Sequence, residues 1–265
     1  MSSTTPSFEA RFGHLALTGA AAAILVTLFA LAGLAWAYVS TQGGHMTMST
    51  GPDGASFAIF LATWIVMMAA MMFPAFAPVV LVYAQYTRQR SGRWPLLAAS
   101  LVAGYLTVWS GVGVVAYVLL ALLVPLIVEI PVVQAAPQVF LGAVIGAAGL
   151  YQLTPLKDAL LGHCRSPFHW LFRGYRPGAK GALVMGIDEG VVCLGCCAGL
   201  MLVLLAVGLA SVGWMAAVAA IIFSEKVLAP TQAVAKGVAV LLVGFGIAVA
   251  TIPAIAQFVM GGSPM

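Results

Sequence analysis

Three thiols stand within five residues, at Cys193, Cys196 and Cys197. Positions three and four apart share a helix face, so Cys193 aligns with both of the others. Glu189 falls on the same stripe one turn earlier, with Asp188 beside it. A second group is made of thioethers, Met67, Met68, Met71 and Met72, which form two i,i+4 pairs pointing one residue apart. Pro74 and Pro78 follow them and loosen the helix. A third group is His45, Met46 and Met48 in a short polar stretch, with Asp53 after it. Thiolate and thioether together select Cu(I) over harder metals. The plainer alternative is packing: methionine fills irregular gaps and a free cysteine is a small apolar filler. Three cysteines so close together, next to two acids, favour chemistry over filling. The methionines and the polar stretch, each taken alone, leave both readings open.

The elements that carry these groups must be membrane helices. Of 265 residues, 63% are apolar and 7% charged, against roughly 25% charged in a soluble domain. Mean hydropathy is +1.09. A soluble chain of this length cannot hide so much hydrocarbon. In lipid every backbone polar group needs an internal partner, which leaves helices or a closed barrel. Barrel strands alternate in polarity over about ten residues, and the apolar runs here are longer and do not alternate. The expected fold is all-α, a polytopic bundle of seven spans at 15–39, 57–83, 96–124, 139–153, 191–210, 214–228 and 235–259. The fourth and sixth fall short of the roughly 20 residues a span needs, and the fifth and sixth could form one bent unit. One membrane domain, 1–265, is expected, containing a basic loop, 154–190, that lies on the membrane surface. The tripeptide Ala35-Trp36-Ala37 resembles a signal-peptide cleavage site, but the run before it exceeds the usual 7–15 residues.

With the N-terminus cytoplasmic, Arg11, then Arg88, Arg90 and Arg93, then Lys157, Arg165, Arg173, Arg176 and Lys180, then Lys226 and Lys236 all fall on the inner side. This is the segregation the positive-inside rule describes. The expected orientation is N-terminus in and C-terminus out. The basic residues thus report topology, and the partner they imply is the bilayer and not nucleic acid. Trp36, Tyr38, Tyr83, Trp94 and Trp214 lie near span ends, where aromatic rings favour the interface. Met71 lies about 21 Å along its helix from the outer face, leaving about 9 Å of core, and Cys197 lies about 9 Å from the inner face. The two clusters can share a level if their helices touch. Gly186, Gly190, Gly195 and Gly199 recur at a spacing that admits close helix contact. Glu225 and Lys226 are expected to pair at a helix end. His163, Cys164 and His169 are at most auxiliary ligands.

The stretches WIVMMAAMMFPAFAP (64–78), YQLTPLKDALLGHCRSP (151–167), GVVCLGCCAGLM (190–201) and 214–226 resemble a bacterial family of metal-binding integral membrane proteins, some labelled copper chaperones. The resemblance implies copper bound through Cys193, Cys196, Cys197 and the methionine pairs. In the family pattern, two cysteines four apart follow Thr-Pro-Leu-Lys; here Leu160 holds the first place and only Cys164 remains. Relatives often carry histidine where Glu189 stands. Cys164 is therefore not carried over, and its role stays open.

The reading is a multi-pass protein of the bacterial inner membrane that handles Cu(I) and exchanges it with a copper-donating or copper-accepting protein. His45, Met46 and Met48 would capture the ion outside, and Met67, Met68, Met71 and Met72 would relay it. Cys193, Cys196 and Cys197 would hold it near the cytoplasm, with Glu189 or Asp188 tuning charge. The sequence has no phosphate loop, HExxH or nucleophile elbow, so transfer is expected to be passive or driven by a partner. Two alternatives stay open. One is a membrane thiol or quinone oxidoreductase using Cys193 and Cys196, a pair whose position near the reducing side disfavours it. The other is a scaffold subunit using the glycine face.

Overall fold

The computed structural model describes residues 19–42, 54–207, 211–228 and 232–259. Among these there is no strand. The helices are α1 (Gly19–Gln42), α2 (Gly54–Arg88), α3 (Trp94–Val128), α4 (Pro131–Ala135), α5 (Pro137–Tyr151), α6 (Pro155–Cys164), α7 (Pro167–Gly174), α8 (Gly178–Val207), α9 (Val212–Phe223), α10 (Gln232–Thr251) and α11 (Pro253–Val259), with a π-helical turn, Ser224–Leu228, after α9. Proline opens α4, α5, α6 and α7, where a missing N–H costs nothing because it would be unpaired anyway. Thr154 caps α6 by accepting from Lys157 N–H, and Ser211 caps α9 through Trp214 N–H. Gly178, at φ 79°, makes the left-handed corner into α8.

Five of these helices are long and apolar enough to cross a membrane: α1, α2, α3, α8 and α10. A sixth span results if α5 and α6, bent by 65°, count as one. The expected count of seven differs at 214–228, where α9 has only 12 residues before the π turn. Large apolar side chains such as Leu122, Leu126, Val240 and Leu241 point outward, as lipid-facing residues do.

The packing follows from small residues. Gly186 faces the Leu101 backbone of α3, and Gly190 sits against Val108. Further along α8, Gly195 accommodates Leu160 of α6 and Gly199 lies on Tyr151 of α5. The glycine stripe thus admits two neighbours in succession. On α3, Gly113 leaves room for the Trp64 indole, whose Nε1 donates to Trp109 O at 2.9 Å. This fastens α2 to α3 one turn before the methionines. Pro74 has no N–H for the Ala70 carbonyl, and Trp36 Nε1 of α1 takes that acceptor at 3.0 Å.

The basic segment 154–190, expected as a loop, is helical over most of its length. It folds into α6, α7 and the first turns of α8, with Lys157, Leu161, Trp170 and Leu171 buried. Its apolar side chains dock on the bundle because α8 offers a complementary face. Tyr83, expected at the interface, is fully buried, and its hydroxyl has no hydrogen-bond partner among the described residues.

Candidate metal centre

Cys193, Cys196 and Cys197 are all buried on α8. Cys196 Sγ and Cys197 Sγ donate back to the Cys193 carbonyl at 3.1 and 3.0 Å, which anchors both side chains to their own helix. Cys193 Sγ meets Tyr105 Oη of α3 at 3.0 Å and Lys226 Nζ of the π turn at 2.8 Å, and interacts with the Cys196 and Cys197 side chains. Cys164, at the end of α6, brings its Sγ to 3.6 Å from Cys196 Sγ. Four free thiols from two helices therefore adjoin one another. Glu189 is buried one turn before Cys193 and interacts with the Cys164 side chain and the charge of Lys226. Asp188, its neighbour, instead faces outward and pairs with Arg176 at 3.7 Å, both half-exposed.

Two expectations are corrected here. Glu225 and Lys226 do not pair with each other. They lie in a π turn, and consecutive side chains on a helical turn do not face each other. Lys226 goes to Cys193, while Glu225 Oε2 meets Lys157 Nζ at 2.7 Å. Gln152 joins this pair, accepting from Lys157 and donating to Glu225 Oε1 at 3.2 Å; Arg165 Nε donates to the Glu225 carbonyl at 2.7 Å. Buried charges persist only when paired and hydrogen-bonded, and this network meets that condition. The second correction concerns Cys164, which is not set apart as a loop residue: the α5–α6 bend swings it onto Cys196.

Cys196, which the sequence paired with Cys193, has the Cys164 thiol at 3.6 Å and also interacts with the Cys193 and Cys197 side chains. Tyr151 Oη donates to Gly195 O at 2.6 Å and fixes the backbone just before Cys196.

Met67, Met68, Met71 and Met72 are buried on α2, in the same continuous core as the cysteines. One turn beyond Met72, Phe76 stacks on Tyr105 with centroids 4.0 Å apart. The α2 methionine helix thus reaches the thiols through Phe76, Tyr105 and Cys193. His45, Met46 and Met48 lie outside the described residues. Among the described residues no group of three or more His, Cys, Asp or Glu side chains is gathered to hold a metal. What the thiols offer is the Cys164–Cys196 pair and Cys193 beside it, a donor set suited to a soft monovalent ion.

Tyr105 gave no signal in the sequence, since it sits in an unremarkable apolar run. Lys226 did: an ionisable residue inside an expected span is itself a functional indicator.

A family model described as copper chaperone, PpoB2, matches residues 61–249. The chain belongs to this copper chaperone family. No curated protein and no solved structure is matched. The stretch shared with the family holds the four α2 methionines, all four cysteines, Tyr105 and Lys226, and begins after His45, Met46 and Met48.

Proposed function

We propose that this protein binds Cu(I) within the membrane and passes it on, with Cys193, Cys196 and Cys197 as principal ligands and Cys164 as a fourth. Membership of the copper chaperone family supports the copper, and the 3.6 Å approach of Cys164 to Cys196 supports the thiol cluster as its seat. The basic loops are taken as cytoplasmic, which places the thiols in the inner half of the bilayer.

In this reading the thiols bind copper as thiolates, so the loaded centre carries negative charge in a low-dielectric setting. Lys226 Nζ, 2.8 Å from Cys193 Sγ, supplies the opposing charge. Tyr105 Oη orients that same sulfur. Met67, Met68, Met71 and Met72 are the proposed thioether relay, on a helix that packs against the cluster's Tyr105 through Phe76. Glu189 tunes the charge on the other side of Cys193. His45, Met46 and Met48 are the proposed capture site on the outer face.

The test is metal content of the detergent-purified protein under reducing conditions, wild type beside the Cys193/Cys196/Cys197→Ser variant. Near-stoichiometric copper that disappears in the variant is expected. Copper absent from both after Cu(I) addition, or retained by the variant, refutes the assignment.

A further inference from the structure

A pocket of about 290 Å³ opens where α6, α7 and α8 meet, lined by His163, Gly174, Arg176, Met185, Asp188 and Val192 among others. Its lining alternates with the thiol cluster residue by residue. On α6, His163 lines the pocket and the next residue, Cys164, touches Cys196. On α8, Asp188 and Val192 line it, and the next residues, Glu189 and Cys193, are buried in the cluster. Two helices therefore form a wall one side chain thick between pocket and thiols. The pocket side of that wall carries an imidazole and the Met185 thioether, donors that suit a soft metal, beside Asp188 in its pair with Arg176.

The surroundings are basic. Segment 154–190 has five basic and three acidic residues, and Arg176 and Lys180 are exposed at this end of α8. Arg176 is paired with Asp188 in the lining, so the bias comes from the net positive surroundings, which favour an anionic over a cationic carrier at low salt.

Building on the copper reading above, we infer that this pocket is the port through which the thiol cluster exchanges copper, and that the exchanging species is an anionic thiolate complex of Cu(I). In the exchange two Cu–S bonds to the carrier break and two to protein sulfurs form. The two protein thiol protons leave on the released carrier thiols, and copper stays Cu(I) throughout.

Gly174 allows a clean test, because a Cβ built there meets nothing within 4 Å and its φ is ordinary. Gly174→Trp should fill the pocket without touching a sulfur. The full-length protein in detergent would be loaded with Cu(I) from 3-mercaptopropionate, an anionic thiol, or cysteamine, a cationic one, at matched free Cu(I). Helix content and melting of each variant would be checked alongside. Wild type should load faster from the anionic carrier, by about tenfold at low salt. Gly174→Trp should slow loading by an order of magnitude with the final copper content unchanged. Arg176→Gln with Lys180→Gln should erase the carrier preference. Wild-type loading rates in Gly174→Trp, or no carrier preference in wild type, overturn the port and leave the copper reading standing. Failure of wild type to take up Cu(I) from either carrier overturns the copper reading, and the port with it.

Discussion

Replacing Gly113 by alanine tests whether the methionine helix is held where the structure places it. A Cβ at Gly113 would stand 2.6 Å from Trp64 Cδ1, whereas ordinary contact begins at 3.4 Å. The indole must therefore retreat by about 0.8 Å, which, directed along its 2.9 Å bond to Trp109 O, takes that bond past hydrogen-bond range. Overpacking of this kind costs about 1–3 kcal/mol, and a buried donor left unpaired costs about 1–3 kcal/mol, partly the same energy. Alanine regains up to about 1 kcal/mol in a helix interior relative to glycine. The net expectation is a loss of about 1–3 kcal/mol. Gly111, two residues away, has nothing within 4 Å of its Cβ position, so Gly111→Ala should be neutral or stabilising. Unfolding in detergent, followed by tryptophan emission and helix content, gives both values. In a Trp64→Leu background the Gly113→Ala penalty should largely vanish. Equal behaviour of the two glycine variants, or a penalty that persists without Trp64, refutes the reasoning.

Lys157→Met should lose about 3–5 kcal/mol by stranding Glu225, while Lys157→Met with Glu225→Leu should recover much of it; unfolding measurements of the two variants decide. Trp36→Phe should destabilise by about 1 kcal/mol, because it leaves the Ala70 carbonyl without its donor. That cost should fall in a Pro74→Ala background, where an ordinary helix N–H returns, so a double-mutant cycle with zero coupling contradicts the assignment. Mild oxidation with diamide should protect two thiols from maleimide and link residues 164 and 196 in peptide maps. Cys164→Ser should abolish that link and Cys193→Ser should leave it intact.

The helical class and the long spans were legible because lipid imposes a length and an apolar composition that the sequence cannot disguise. The α8 thiols were legible for a local reason, since i,i+3 and i,i+4 spacing fixes a shared face. Cys164 was not, because its position depends on a 65° bend between α5 and α6 that no periodicity encodes. The partners of Glu225 and Lys226 were misread because neighbouring opposite charges suggest a local pair, although consecutive residues on a helix do not face each other. Tyr105 joins the centre by tertiary placement alone. The glycine stripe on α8 was visible, but its division between α3 on one side and α5 and α6 on the other was not.

The Glu225–Lys157 network also bears on how the chain is made. Its two ends are 68 residues apart, so at ribosomal speed roughly 3–14 s separate their synthesis. During that interval Lys157 has no acidic partner, and burying it alone in hydrocarbon costs about 2.5–3.5 kcal/mol. The same two-residue step that neutralises Lys157 through Glu225 delivers Lys226 to Cys193. A chain truncated before residue 225 would carry every cysteine yet lack the charge that completes their setting.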